Sequence, residues 1–426
     1  MSVSHVASWY ATSAHPFPAQ PTLQDKLDVD VCVLGAGLTG LSAALELAQK
    51  GYSVAVLEAA IVGWGASGRS GGQMIFGFGC EQPTIEANVG KDNARIIWQA
   101  GLDGMDLMRQ RVRDHNIDCD FVDGHVHAAI RPRQVRELRH WKESLENNYG
   151  YDSLEFWDQD RTRHEVNSPR YLASLYDSNS GHLHPLNYTL GLAKACVEAG
   201  VKIYENSAVT RIEKGEPVNV HTAQGHVRAR FMIVAGNAYL SKLLPEIENK
   251  VMPVGTYICS SEPLGEERCR DLIRNNYAVA DINFVLDYFR CSSDHRMLFG
   301  GRVSYSTLEP ARLGHVMRQR MIDVFPQLEG VQVEHAWGGY VAITANRAPN
   351  FGRVSNNIFY AQGFSGHGIS ATGLAGKLMA DTISGTAETF DVFSKISHLP
   401  FPGGRLFRMP MLVLAMLWFR MQDLRP

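Results

Sequence analysis

The run from Val29 to Glu58 constrains the fold more than any other part of the chain. Val29-Asp30-Val31-Cys32-Val33-Leu34 is β-rich and largely apolar, the composition of a strand buried in a parallel sheet. It leads straight into Gly35-Ala36-Gly37-Leu38-Thr39-Gly40. Leu41, Ala44, Leu45, Leu47 and Ala48 then recur at helical spacing until Gly51. A second apolar strand, Tyr52 to Leu57, runs into Glu58 and Ala59. Each part has a physical task. Gly35 permits a tight turn, Gly37 lets backbone approach a pyrophosphate, and Gly40 lets helix and strand close on one another. The first helical turn offers unpaired N–H groups and a positive dipole end to that phosphate. Glu58, roughly 20 residues further on, is placed to accept from ribose hydroxyls and disfavours a 2′-phosphate. The unit predicts an α/β fold with a Rossmann-like dinucleotide-binding half, built on a mostly parallel sheet.

Two further stretches favour FAD over NAD. Gly63-Trp64-Gly65-Ala66-Ser67-Gly68-Arg69-Ser70-Gly71-Gly72-Gln73 is a poor element former and suits a backbone wrapped around an extended ligand. FAD needs such a second loop because its ribityl chain and isoalloxazine lie beyond the pyrophosphate. Candidate contacts there are Gly65, Ala66, Ser67, Arg69, Ser70, Gly71, Gly72 and Gln73, with Arg69 serving FAD or fixing the loop. Near the other end, Asn357 to Ala361 reads as a strand, followed by Gln362-Gly363-Phe364-Ser365-Gly366-His367-Gly368-Ile369 and a helical stretch with Ala371, Leu374, Ala375 and Leu378 on one face. A helix N-terminus aimed at the flavin N1/C2 edge would stabilise the negative charge of reduced flavin. His367 is read as a brace for that turn rather than a proton carrier. In the middle, Val201 to Glu205 and Ala208 to Ile212 look like strands, with Val209 a candidate to touch adenine. Phe231 to Asn237 reads as a buried strand whose turn, Ala235-Gly236, lies beneath the cofactor.

Composition narrows the partners. The net charge of -3 among 426 residues gives no basic field for nucleic acid. Seven scattered cysteines, with no C-x-x-C pair and no metal-type spacing, read as reduced thiols in a cytoplasmic protein with no metal site. Met1 to Pro21 lacks the charged and apolar regions of a secretion signal. The apolar run Met409 to Phe419, flanked by Arg405, Arg408 and Arg420, is about half the roughly 20 residues a membrane span needs. It reads as a docked C-terminal helix; an interfacial anchor at the inner face of the membrane is the alternative.

The ordered motifs from Val29 to about Ile396 resemble the D-amino-acid oxidase, glycine oxidase and sarcosine oxidase group. They are the Gly35–Glu58 unit, the loop to Gln73, Gly181-His182-Leu183-His184-Pro185, Ile233-Val234-Ala235-Gly236 and Gly363 to Gly368. The loop at Gly65–Gln73, Asp287-Tyr288-Phe289-Arg290 before Leu298 to Arg302, and the apolar tail are most similar to the γ-glutamylputrescine oxidoreductase branch. The resemblance implies oxidative deamination of a γ-glutamylated polyamine to the aldehyde, with ammonia and H2O2, in putrescine catabolism. Some members hold flavin covalently through a Cys near the last glycine motif or a His in the first loop. This chain has no Cys after Cys291 and no His between Glu58 and Gln73, so non-covalent FAD is expected. Where amino-acid-specific members carry a carboxylate-binding Arg, it reads Tyr340-Val341-Ala342-Ile343, which argues for a substrate whose charged end lies further from the reacting carbon.

Hydride transfer from an amine requires the neutral amine, so its pocket must be apolar. Tyr257, Tyr288, Trp337 and Tyr340 are candidate walls, beside Gln73; Arg290 and Arg302 are candidate carboxylate partners. No catalytic residue is assigned. The expected layout is a discontinuous FAD domain over 28–85, 185–250 and 330–395, an antiparallel α+β substrate domain over 86–184 and 251–329 that contains a helix over 133–147, and a tail over 396–426. O2 is one electron acceptor. Quinone is the other, for a dehydrogenase docked on the membrane through that tail.

Overall fold

The computed structural model describes residues 3–240, 242–304 and 312–401. Its strands enter two sheets by turns. β1 (Asp25–Leu34) and β2 (Val54–Leu57) begin the first sheet; β3 (Gln73–Met74), β4 (Val122–Ala129), β5 (Leu154–Trp157) and β6 (Ala173–His182) enter the second. β7 (Lys202–Tyr204), β8 (Arg211–Glu213), β9 (Val218–His221) and β10 (Gly225–Val234) return to the first. β11 (Met252–Ser261), β12 (Ala278–Asp281), β13 (Tyr288–Cys291), β14 (Met297–Ser304) and β15 (Val333–Ile343) go to the second, and β16 (Asn350–Ser355) and β17 (Ile358–Gln362) close the first.

The first sheet is a parallel core, β17-β10-β1-β2-β7, with β16 antiparallel at one edge and the β8–β9 hairpin leaning on β10. Burial follows the rule for parallel strands. Val31 to Leu34, all of β2 and all of β17 are buried, without the alternation a half-wet strand shows. The second sheet runs β15-β11-β14-β13-β12-β4-β6-β3, with β5 beside β6; β12–β4 is its one parallel pair among the described residues.

Several expectations shift. β15 pairs with β11 from Met252↔Ile343 to Ser261↔Val333 and so belongs to the antiparallel sheet, not to the nucleotide half that the 330–395 division gave it. β3 crosses over in the same way, pairing with β6 at Gln73↔His182. The strand expected over 208–212 starts only at Arg211; before it, Ala208, Val209 and Thr210 run along a cavity wall. The helix expected over 133–147 spans Pro132–Tyr149. Among the described residues no helix is long and apolar enough to cross a membrane, and the tail from 402 onward lies outside them.

Two helices follow the glycine turns of the first sheet, Leu38–Gln49 and Gly368–Ile383, and they touch along their backbones. A Cβ on Gly376 would sit 2.6 Å from Thr39 O and Ala43 N, so only glycine lets the helices approach this closely. The long helix Lys91–Asp114 braces the pair, because Arg111, buried, donates from Nη1 to Ser42 Oγ and from Nη2 to Glu46 Oε1 at 2.8 Å. Removing one partner of a buried ion pair strands the other, which typically costs about 3 kcal/mol or more. Arg111→Met is therefore expected to lower the unfolding free energy by an amount of that size, read as a lower urea midpoint. An unchanged midpoint would show that Glu46 finds water instead.

Candidate active site

A cavity of about 1320 Å³ opens at the carboxyl ends of β1, β2, β10 and β17, where open parallel sheets bind ligands, and the second sheet forms its far wall. It exceeds the range of about 300–1,000 Å³ usual for one drug-sized ligand. There is room for a dinucleotide and a second molecule.

The first turn is built as a cradle. Gly35 takes φ +101°, donates its N–H to Leu57 O at 2.9 Å, and leaves 3.1 Å between a hypothetical Cβ and Ala235 O. At Gly40 a Cβ would lie 2.0 Å from Gly35 O, so the helix seats against its own turn there. Ser67, on the second loop, reaches across to accept from Leu38 N–H at 3.0 Å, and its Oγ would meet a Cβ on Gly37 at 2.8 Å. Glu58 accepts from the N–H groups of Ala36 and Ala60 at 2.8 and 2.9 Å. Burial pushes the Glu58 carboxyl up, and those two donors pull it back. Among the described residues Glu58 is the only acid lining the cavity, against Arg69, Arg211, Lys242 and Arg347.

The loop from Gly63 to Gln73, expected to lack regular structure, holds a short 3-10 turn at Ala66–Gly68 and is packed tightly. Cβ atoms on Gly68 and Gly72 would lie 2.2 Å from Gly63 O and 2.1 Å from Leu183 O. Arg69 lines the cavity yet is held by protein: it donates to Trp64 O, lies 4.4 Å over the Trp64 ring, and reaches Gly338 O on β15. It ties the loop to the second sheet. Gln73 also lines the cavity, with its amide donating to Val279 O and Phe289 O at 3.3 and 3.4 Å and its Oε1 3.3 Å from His125 Nε2.

The last glycine turn ends in the helix Gly368–Ile383, whose N-terminus faces the cavity with Phe364, Ser365, Gly366, His367, Gly368 and Ile369. His367 precedes the helix without capping it. Burial and nearby Arg347 push its imidazole down to about 4, so it is neutral at pH 7. Its Nδ1 is enclosed with no hydrogen-bond partner in the structure.

Most residues expected to hold the cofactor line this one cavity, Gly35, Gly37, Leu38, Thr39, Ala59, Gly65, Ala66, Ser70, Gly71, Val209, Ala235 and Gly236 among them. Three stand behind it. Ala36 accepts from Gly63 N–H, Gly40 carries the turn, and Gly363 packs on Thr344.

The substrate candidates divide. Tyr288 and Tyr340 are on the wall. Tyr257 is not; it is buried in the core that the second sheet shares with Met317 and Met321. Trp337 is not either, because it packs on Tyr10, 5.3 Å between ring centroids, and donates to Arg69 O at 3.0 Å. Arg290 sits under the loop, donating to Gly71 O, Leu183 O, Cys291 O and the Tyr10 hydroxyl, so it has no nitrogen left for a substrate. The Arg302 side chain lies outside the described residues. Wall residues that the sequence does not mark as part of a site include Tyr239, Phe284 and Arg347, and Trp64 joins them from the glycine-rich loop. Tyr239 links Trp64 to Tyr340 through edge contacts at 5.6 and 5.9 Å, forming one aromatic wall.

The cradle fits FAD on three observations: glycines at positions where a Cβ would collide, two helix N-termini on one cavity, and an acid at the ribose position. The FAD dependent oxidoreductase family profile matches residues 30–382. The chain is 42% identical over 420 residues to γ-glutamylputrescine oxidoreductase of Escherichia coli strain K12, covering 98% of each. It is 42% identical to the probable oxidoreductase OrdL of Haemophilus influenzae, over 95% of this chain and 94% of that one. The structure of glycine oxidase from Geobacillus kaustophilus superposes with a TM-score of 0.74 over 88% of this chain and all of the other; at 20% identity that likeness is one of fold. The chain belongs to the FAD-dependent oxidoreductase family.

Proposed function

We propose that the chain oxidises the primary amine of γ-glutamylputrescine to the γ-glutamylaminoaldehyde, releasing ammonia and passing the electrons to O2 as H2O2, with FAD held non-covalently. One observation carries the chemistry. The far wall of the cavity is apolar and aromatic (Phe284, Leu286, Tyr288, Tyr340), and no carboxylate lines it there among the described residues. An alkylammonium entering such a place has no counter-ion, and an unpaired buried charge is so costly that the group sheds its proton instead. The amine is thereby held neutral, the form able to give up hydride. FAD, when bound, supplies the two-electron acceptor; the protein orients the carbon and excludes water. The substrate class rests on the 42% identity to the Escherichia coli enzyme that bears its name. It also fits the residues at Tyr340-Val341-Ala342-Ile343, which offer no arginine for a carboxylate next to the reacting carbon.

The test is to mix purified yellow protein anaerobically with γ-glutamylputrescine, putrescine, sarcosine or glycine and follow the visible flavin band. Rapid bleaching by γ-glutamylputrescine, and colour returning on admitting air with H2O2 formed, is the expected result. Bleaching by glycine or sarcosine in its place would overturn the reading. Acid precipitation should leave the yellow colour in the supernatant, and colour in the pellet would refute non-covalent binding.

A further inference from the structure

Arg347 differs from four other arginines of the interior. Arg111, Arg290, Arg69 and Arg170 each have acceptors or carboxylates on the guanidinium. Arg347 lines the cavity, and the structure records no hydrogen bond or ion pair on its guanidinium. Its Nε is fully enclosed and unpartnered, and the group lies 5.1 Å from the Phe284 ring centroid. A buried donor left unmatched is costly, so it marks a place where a partner is missing.

The backbone repeats the message. Arg347 takes φ +61°, a left-handed conformation that side-chain-bearing residues rarely adopt. Its surroundings hold it there. Arg347 N–H donates to Thr344 O at 3.1 Å, Thr344 Oγ1 to Ala348 O at 2.7 Å, and Asn346 Nδ2 to Ser397 O at 2.9 Å. Gly79 closes against the same turn, since a Cβ there would lie 3.1 Å from Arg347 O and 2.6 Å from Ser365 Cβ. The turn is therefore rigid, and it presents a planar, fork-shaped cation toward Phe284 and the second glycine turn. The neighbouring titratable groups bring no negative charge: His367 is neutral, and burial pushes the Cys80 thiol up to about 12.

We infer that Arg347 is the specificity-determining residue of this site, binding the α-carboxylate of a γ-glutamyl group. The geometry suits a carboxylate: a guanidinium pairs with one through two parallel hydrogen bonds, and a desolvated guanidinium gains most from such a pair. The inference rests on the substrate proposed above. It also assigns to Arg347 the role for which Arg290 and Arg302 are the candidates in the sequence.

The test uses the FAD-loaded full chain with Arg347→Gln and Arg347→Lys. Glutarate titrated into the oxidised protein should perturb the visible flavin spectrum of the wild type saturably. It should do so at least 30-fold more weakly in the Gln variant, with partial recovery in the Lys variant. In turnover, the preference for γ-glutamylputrescine over N-acetylputrescine, which lacks the carboxylate, should fall roughly 100-fold, mainly through KM. Equal loss on both amines together with a shifted flavin potential would overturn the inference, because Arg347 would then act on the cofactor. If γ-glutamylputrescine fails to bleach the wild type, the proposed substrate is wrong, while the glutarate titration still decides Arg347. Should the Gln variant fail to fold, the Lys variant and the wild-type glutarate titration carry the decision: no glutarate response from the wild type refutes the inference.

Discussion

Gly40→Ala is expected to yield a colourless protein. The added Cβ would lie 2.0 Å from Gly35 O and 3.1 Å from Val33 Cγ1, contacts that no side-chain rotation relieves because the nearest is backbone. The helix Leu38–Gln49 must then lift away from the end of β1, and its N-terminal N–H groups move with it. Those groups and the approach allowed by Gly37 are the phosphate site, so flavin affinity should drop by at least 100-fold, the scale of about 3 kcal/mol of lost anion contacts. Gly40 does not itself line the cavity, so any loss must pass through this geometry. Gly51→Ala is the control. Gly51 has φ +86° but nothing within 4 Å of a Cβ, so it should lose roughly 1 kcal/mol of stability and keep its flavin. The ratio of flavin to protein absorbance after purification reads both. Stoichiometric flavin in Gly40→Ala would remove the Gly35–Gly40 turn from the binding argument.

Acid should unfold the protein well above the range where carboxylates titrate. His127, His182 and His184 are pushed down to about 3 and His367 to about 4, in each case first by burial. In the unfolded chain these rings accept a proton near pH 6.5. Below that pH the unfolded state binds more protons than the folded one, so stability falls as pH falls. Each such histidine removes on the order of 1.4 kcal/mol per pH unit until its folded pKa is reached. Asp281, pushed up to about 7 by burial and by Asp287, works in the opposite sense over the same window and offsets one of them. Three uncompensated histidines over the one unit below pH 6.5 give a net loss between pH 7 and pH 5.5 on the order of 4 kcal/mol, a large part of the whole stability of many domains. Urea midpoints across that interval measure it. His127→Phe should flatten the slope by the share of one histidine, and a slope unchanged by that substitution would show that His127 titrates normally.

These histidines also show where sequence reading stops. In the sequence His182 and His184 stand out only as members of a motif; their burial comes from strand pairing and from packing on the Trp9–Ser13 helix. That N-terminal segment gave no sign of a structural part, yet Tyr10 is fully buried and meets Arg290, His184 and Trp337. Tyr288 and Arg290, two apart on β13, share a face by strand alternation. The Gly71–Gly72 loop covers Arg290 completely and leaves part of Tyr288 in the cavity. Nothing local to either residue tells them apart.

What the sequence determined by itself was the cofactor cradle. Strand, glycines, helix and terminal acid lie within thirty consecutive residues, and the constraints on Gly35, through its positive φ, and on Gly40, through Gly35 O, act within one turn of chain. Such constraints are written where they act. The second sheet's membership, the burial of Tyr257, Trp337 and Arg290, and the position of Arg347 were decided only by tertiary structure. Arg290 meets Gly71 and Trp337 meets Arg69 across more than two hundred positions of chain, and Arg347 meets Phe284 from a different strand connection. Whether a side chain points at a ligand or into the core depends on which loop closes over it, and that loop comes from elsewhere in the chain.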